Sequence, residues 1–169
     1  QYSIASAYRD SGKADVAIAE YQKLIQRHPD YPGVHNDLAK IYDQQGKKNQ
    51  ARDEYLKEIE YCKAKLARNE NDVLALSDLA FAYNEIEQSQ EAQKIIEKVL
   101  ILRPGYYYAY STLAKIYEKK GEHDKAKSAL MVLRELSPGQ KYIERDIQKL
   151  SHVSDTMKAL PSPTATVYL

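Results

Sequence analysis

Between Leu113 and Pro138 the apolar positions follow helical spacing twice over. Leu113, Ala114 and Tyr117 mark one segment, Ala126 and Leu130 the next, with Gly121 between them and Pro138 closing the pair. Two amphipathic helices joined by a glycine turn are predicted there. The same order recurs upstream, stepping back 34 residues to Tyr83, a further 41 to Tyr42 and another 34 to Tyr8. Three residues before each Tyr stand Ala5, Ala39, Ala80 and Ala114, and nine after it Ala17, Ala51, Ala92 and Ala126. Self-similarity at this period predicts a stack of helix pairs with one continuous core, because no single pair can bury its own apolar face. Small residues are needed where two helix backbones cross closely, and the large neighbours fill the groove beside them.

Taken in order, the chain divides into four units, about 1–31, 32–72, 73–106 and 107–138. The first opens partway through a helix, Tyr2 to Asp10, broken by Ser11-Gly12; a second helix from about Ala14 to Arg27 ends at His28-Pro29, where proline cannot supply the next backbone donor. The second unit carries the seven extra residues. Its second helix continues to about Arg68 before the polar break Asn69–Asp72, and Ala51, Tyr55, Ile59, Cys62 and Leu66 form one stripe. Seven residues are close to two turns, so the addition stays in phase, and its end is expected to project beyond its neighbours. In the third unit Glu87 stands where the others have glycine; a left-handed Glu costs on the order of 1 kcal/mol, so a different turn is expected there. The fourth unit opens on Tyr106, Tyr107, Tyr108 and Tyr110. Residues 139–151 follow as a capping helix with Ile143, Ile147 and Leu150 on one face, and 152–169 read as an extended Pro/Ser/Thr tail.

Composition narrows the function more than the fold. No apolar run approaches the ~18 residues of a membrane span, so a water-soluble chain is expected, with the compartment open and the cytoplasm slightly favoured. Lys and Arg number 25 against 24 Asp and Glu, a net charge of +1, which gives no field to gather nucleic acid or an anionic membrane. The single Cys62 rules out an intramolecular disulfide and sits on an apolar stripe, as an inert core thiol would. Tyrosine dominates the aromatics, 15 against one Phe and no Trp, which suits thin layers where a buried ring keeps its hydroxyl near a polar partner. The chain begins at Gln1 already inside a helix of a repeat and is expected to be a piece of a longer protein.

Candidate chemistry is sparse. His28, His35, His123 and His152 do not pair on adjacent turns of one helix, Glu122-His123-Asp124 suits a helix start, and there is no strand to carry a phosphate loop. No catalytic, cofactor-binding or metal-binding residue is expected, and the chain is expected not to be an enzyme.

Leu38-Ala39, Tyr42, Gly46, Ala51 and Tyr55, together with Leu113-Ala114, Tyr117, Gly121, Ala126, Leu130 and Pro138, resemble the tetratricopeptide repeat. The resemblance covers about 1–138, or 1–150 with the cap. It implies an all-α fold, a right-handed superhelical solenoid of antiparallel helix pairs, whose first helices line a concave groove that takes a peptide or helix of a partner protein.

Residues off the packing stripe of the first helices are the expected groove: Asn36, Asp37 and Lys40; Leu74, Ser77, Asp78 and Phe81; Tyr108, Ser111, Thr112 and Lys115. Most are short polar groups, and a merely solvated face is the alternative. Phe81, with Leu74 and Tyr108, is expected to form an apolar anchor pocket, or else to fill a gap between repeats. One branch of the family holds a partner's terminal carboxylate with Lys, Asn and Arg. The corresponding positions here, whichever unit the comparison starts from, include Asp37 or Asp78, which would repel that ligand. The expected function is a protein-interaction scaffold. The alternatives are a regulatory or targeting segment of a larger enzyme, and a self-assembling scaffold that forms homo-oligomers through the long second-unit helix or the tail.

Overall fold

The computed structural model describes residues 1–29 and 31–159. The described residues form α-helices and turns only: α1 (Tyr2–Asp10), α2 (Ala14–Arg27), α3 (Val34–Gln44), α4 (Lys48–Leu66), α5 (Val73–Glu85), α6 (Ser89–Leu102), α7 (Tyr107–Lys119), α8 (His123–Leu136) and α9 (Lys141–Ala159). They fall into two compact units, Gln1–Leu102 with α1 to α6, and a second beginning at Arg103 with α7 to α9.

In the first unit α1 packs on α2, α3 on α4, α4 on α5 and α5 on α6, with α2 also touching α3. The recurring alanines make this possible. Ala5, Ala17, Ala39, Ala51, Ala80 and Ala92 are all buried to 1% exposure or less, where only a methyl group separates two backbones. Tyr21, Leu24, Val34, Leu38, Ile41, Tyr55, Ile59 and Leu79 form one cluster with the first four of them. The second unit repeats the device with Ala114 and Ala126 between α7 and α8. On its far side Ile143, Ile147 and Leu150 of α9 are buried, and α9 packs on α8 as a cap.

Every helix pair turns in the same way. Lys13, Lys47, Gln88 and Glu122 donate their backbone N–H to the carbonyls of Tyr8, Tyr42, Tyr83 and Tyr117, while Gly12, Gly46, Glu87 and Gly121 donate to Arg9, Asp43, Asn84 and Glu118. This paired bonding ends a helix through one left-handed residue. Glu87 takes that conformation at φ 71, beside glycines at 72 to 75, so the expected departure in the third unit does not occur. Two satisfied helix-end carbonyls outweigh one strained residue.

The extension of the second unit is real, since α4 runs 19 residues. Its last turns help position the next helix. Lys65 Nζ lies 3.3 Å from Asp72 Oδ2, and Asp72 Oδ1 accepts from the N–H groups of Leu74 and Ala75 at 3.1 and 3.0 Å as the N-cap of α5. At the other end, α9 does not stop at residue 151 but continues to Ala159. No glycine or proline interrupts the sequence before Pro161, so the helix continues past the end of its apolar stripe. Of the expected tail, 160–169 lie outside the described residues.

Because Glu87 carries the strain that glycine avoids, Glu87→Gly is expected to stabilise the protein by up to about 1 kcal/mol in chemical denaturation. Unchanged or lower stability would show that the turn tolerates a side chain without cost.

Candidate interaction groove

Asp37, on the inner face of α3, is buried and held from three helices. The hydroxyls of Tyr2 (α1) and Tyr21 (α2) donate to its Oδ2 at 2.7 and 3.1 Å. Arg9 Nη1 lies 2.6 Å from Oδ1, and Lys40 Nζ lies 3.4 Å from the same oxygen. Two cations and two phenols are enough to offset the removal of one carboxylate from water. Burial, then the Asp37 charge, pushes the Tyr2 phenol well above its ordinary range. Burial and the same charge raise Tyr21 to about 12, so both stay protonated and able to donate.

A second acidic group is held differently. Glu58 of α4 is wholly buried; the Gly33 N–H donates to its Oε1 at 3.3 Å and the Cys62 thiol reaches the same atom at 3.5 Å. Its Oε2 is buried with no hydrogen-bond partner, as is Oδ1 of Asn36. Asn36 Nδ2 donates to the backbone carbonyl of Asp78 at 3.3 Å, and Oδ2 of Asp78 sits where a Cβ on Gly33 would lie 3.9 Å away. The Asp78 carboxyl takes no hydrogen bond or ion pair among the described residues. Burial, with the Glu58 charge adding to it, raises Asp78 to about 7, against the pull of Lys40 and Lys65. Burial likewise raises Glu58 and the Cys62 thiol.

Around this acidic pair the expected groove residues take several roles. Asn36, Asp37 and Ser77 are buried, so this face is not simply solvated. Leu74 is 53% exposed. Phe81 is half-buried, its ring edge-on to Tyr55 at 6.1 Å, and Lys40 Nζ sits 4.5 Å above its centre. It therefore packs against the core with Lys40 over its ring.

The second unit places Tyr108 at the exposed start of α7, its ring 3.9 Å from that of Tyr107 and 5.6 Å from that of Tyr106. Ser111 and Lys115 line a cavity of about 280 Å³ with Glu118, Leu130, Tyr142 and Leu150, while Thr112 is buried.

Sequence reasoning missed Glu58. It stands three residues after Tyr55 and four before Cys62, on the apolar stripe itself, and that spacing was the available signal.

Tandem helix hairpins with alanines at their crossings and a polar-lined inner face define a class of helical repeat proteins. Family models described as TPR repeat match residues 5–46, and as tetratricopeptide repeat residues 32–65 and 87–145. The chain belongs to the tetratricopeptide repeat family. It is 30% identical over 96 residues to the tetratricopeptide repeat and J domain-containing co-chaperone DNJ1 of Fusarium oxysporum, covering 56% of this chain and 18% of that one. It is 27% identical over 123 residues to the TPR repeat-containing protein YpiA of Bacillus subtilis, covering 68% and 25%. The chain thus spans a quarter or less of these two relatives. Among solved structures, a thermophilic TPR protein of Thermus thermophilus aligns at a TM-score of 0.69 and 18% identity over 92% of this chain and 81% of that one, a likeness of fold.

The raised carboxyls of Asp78 and Glu58 set the sign of a pH effect. Each holds its proton in the folded state above the pH at which the unfolded chain releases it. For Asp78 this stabilisation is complete below about pH 4 and is lost as pH rises through about 7, and Glu58 acts in the same sense. Glu54 and Asp72, both held low, act in the opposite sense and lose their contribution in acid. Denaturant unfolding of wild type and Asp78→Asn between pH 5 and 8 is expected to show a downward slope with pH that the variant reduces. Equal slopes would contradict the desolvation of the Asp78 carboxyl.

Proposed function

We propose that this chain is a protein-interaction scaffold that holds a peptide or helix of a partner protein against the inner faces of α3 and α5, and that α7 of the second unit presents a contact face of its own. The observation that carries this reading is the combination on α5 of exposed Leu74, half-exposed Phe81 and the unpaired carboxyl of Asp78 on one helix face. Exposed apolar side chains beside an unsatisfied polar group make a poor solvated surface and a good docking surface. Membership of the tetratricopeptide repeat family supports it. On α7 the same role falls to Tyr108, Ser111, Thr112 and Lys115, of which Ser111 and Lys115 line the cavity shared with α8 and α9.

Capture of a partner's terminal carboxylate is the less favoured use. Asp37 and Asp78 stand on the face such a ligand would approach, and Lys40 and Arg9 are already engaged with Asp37. A second reading, that this is the targeting segment of a larger protein, is supported by the relatives' greater length and by the J domain named for one of them.

Random twelve-residue peptides displayed on phage and selected on the wild-type chain provide probes for the groove. Leu74→Asp, at an exposed site, is expected to leave helicity by circular dichroism unchanged. It should weaken the selected peptides by about tenfold or more, the scale of losing one buried apolar anchor. Peptides that bind this variant as well as wild type would place the binding face elsewhere.

A further inference from the structure

The repeats supply their own control for Asp78. It stands five residues before Tyr83, as Asp37 stands five before Tyr42, so the two carboxylates hold the same register one unit apart. Asp37 draws its cations from Arg9 and Lys40. Arg9 follows Tyr8 directly; the residue following Tyr42 is Asp43, a carboxylate already engaged by Lys48 at 2.8 Å and by the Tyr55 hydroxyl at 3.0 Å. Lys40 stands two before Tyr42; two before Tyr83 is Phe81. Tyr55, the counterpart of Tyr21, turns its hydroxyl to Asp43 instead. Arg9, Lys40 and Tyr21 of the Asp37 cluster are thus replaced in the Asp78 register by Asp43, Phe81 and a tyrosine turned elsewhere.

We infer that Asp78, backed by Glu58 across Gly33, is the socket for a lysine or arginine side chain of the peptide bound in the first unit's groove. The inference rests on the peptide-binding reading above. The charged and polar groups facing Asp78 favour that occupant. From α4 come Glu58, Cys62 and Lys65, and Lys65 is committed to Asp72; from α3 come Asn36, Asp37 and Lys40, and Lys40 is committed to Asp37. Asn36 and Glu58, 4% and 0% exposed, each leave an oxygen without a donor beside Gly33 and Asp78. A basic side chain brings donors and no acceptor, which suits acceptors lacking partners. Phe81, half-buried with one face already under Lys40, and exposed Leu74 give the aliphatic stem of such a side chain a wall to lie against. Gly33, left-handed at φ +75, adds no side chain beside the carboxyl.

Selection of random twelve-residue phage-displayed peptides on wild type and on Asp78→Asn tests the inference. The variant removes a half-buried carboxyl with no partner among the described residues and is expected to fold at least as stably as wild type. Wild type is expected to enrich peptides with lysine or arginine at one fixed position, and Asp78→Asn to select peptides without that preference. For the best wild-type peptide, Asp78→Asn and replacement of the peptide's basic residue by norleucine should each weaken binding by about tenfold or more. Together they should cost little more than either alone. The affinity should also rise with pH through about 7, as Asp78 gives up its proton to receive the cation. Peptides enriched without a fixed basic position, or one retained on Asp78→Asn, overturn the inference and leave the interaction reading standing. Failure to enrich any peptide above an unrelated helical control overturns both.

Discussion

The structure depends on how closely pairs of helices approach at their alanines. A methyl group is all that stands between the backbones at Ala5 and Ala17, at Ala39 and Ala51, at Ala80 and Ala92 and at Ala114 and Ala126. That spacing brings the rest of each pair into ridge-and-groove contact and fixes the register of the next pair. It also keeps the core thin. Groups on the inner face of α3 or α5 lie one side chain away from the core, so polar residues there are drawn out of water together with the apolar ones.

The polar groups of the first unit follow from this thinness. Tyrosine fits it because its ring can be buried while the hydroxyl serves a carboxylate, as Tyr21 does for Asp37 and Tyr55 for Asp43. Where cations are also at hand, as at Asp37, the buried charge ties three helices together. Where they are not, as at Glu58 and Asp78, the fold retains two acidic groups it does not neutralise. Removing a carboxylate from water without a partner is costly. A fold that keeps such a site next to exposed apolar side chains has the features of a docking point rather than of a structural tie.

The repeat architecture was legible in the sequence because it rests on periodicity: the alanines, the tyrosines and the turns recur at fixed offsets, and the structure places a helix pair on each. The local exceptions were harder to read. Glu87 differs from glycine in the sequence, yet its turn follows the others, because the bonding imposed on both sides of that turn outweighs the local preference of one residue. The end of α9 was obscured for the converse reason: its apolar stripe ends before its backbone does. On α3 and α5 the helical spacing groups residues by face but says nothing of their depth. Whether Asp37 is neutralised depends on Tyr2, Arg9 and Tyr21 from two other helices, and no single-helix pattern contains that information. Glu58 lay on a visible stripe, but a charged residue there reads as an edge position until the partnerless oxygen shows how deep it sits.

Two aspartates in the same register differ: Asp37 is satisfied within the fold, and Asp78 has no hydrogen bond or ion pair on its carboxyl among the described residues. Titration of the side-chain carboxyl carbons by NMR in the unliganded protein tests this most directly. A midpoint for Asp78 near 7 is the result the structure predicts. A midpoint in the ordinary aspartate range, about 3.9, would mean that this carboxyl is solvated or paired in the free protein, and the socket would not exist.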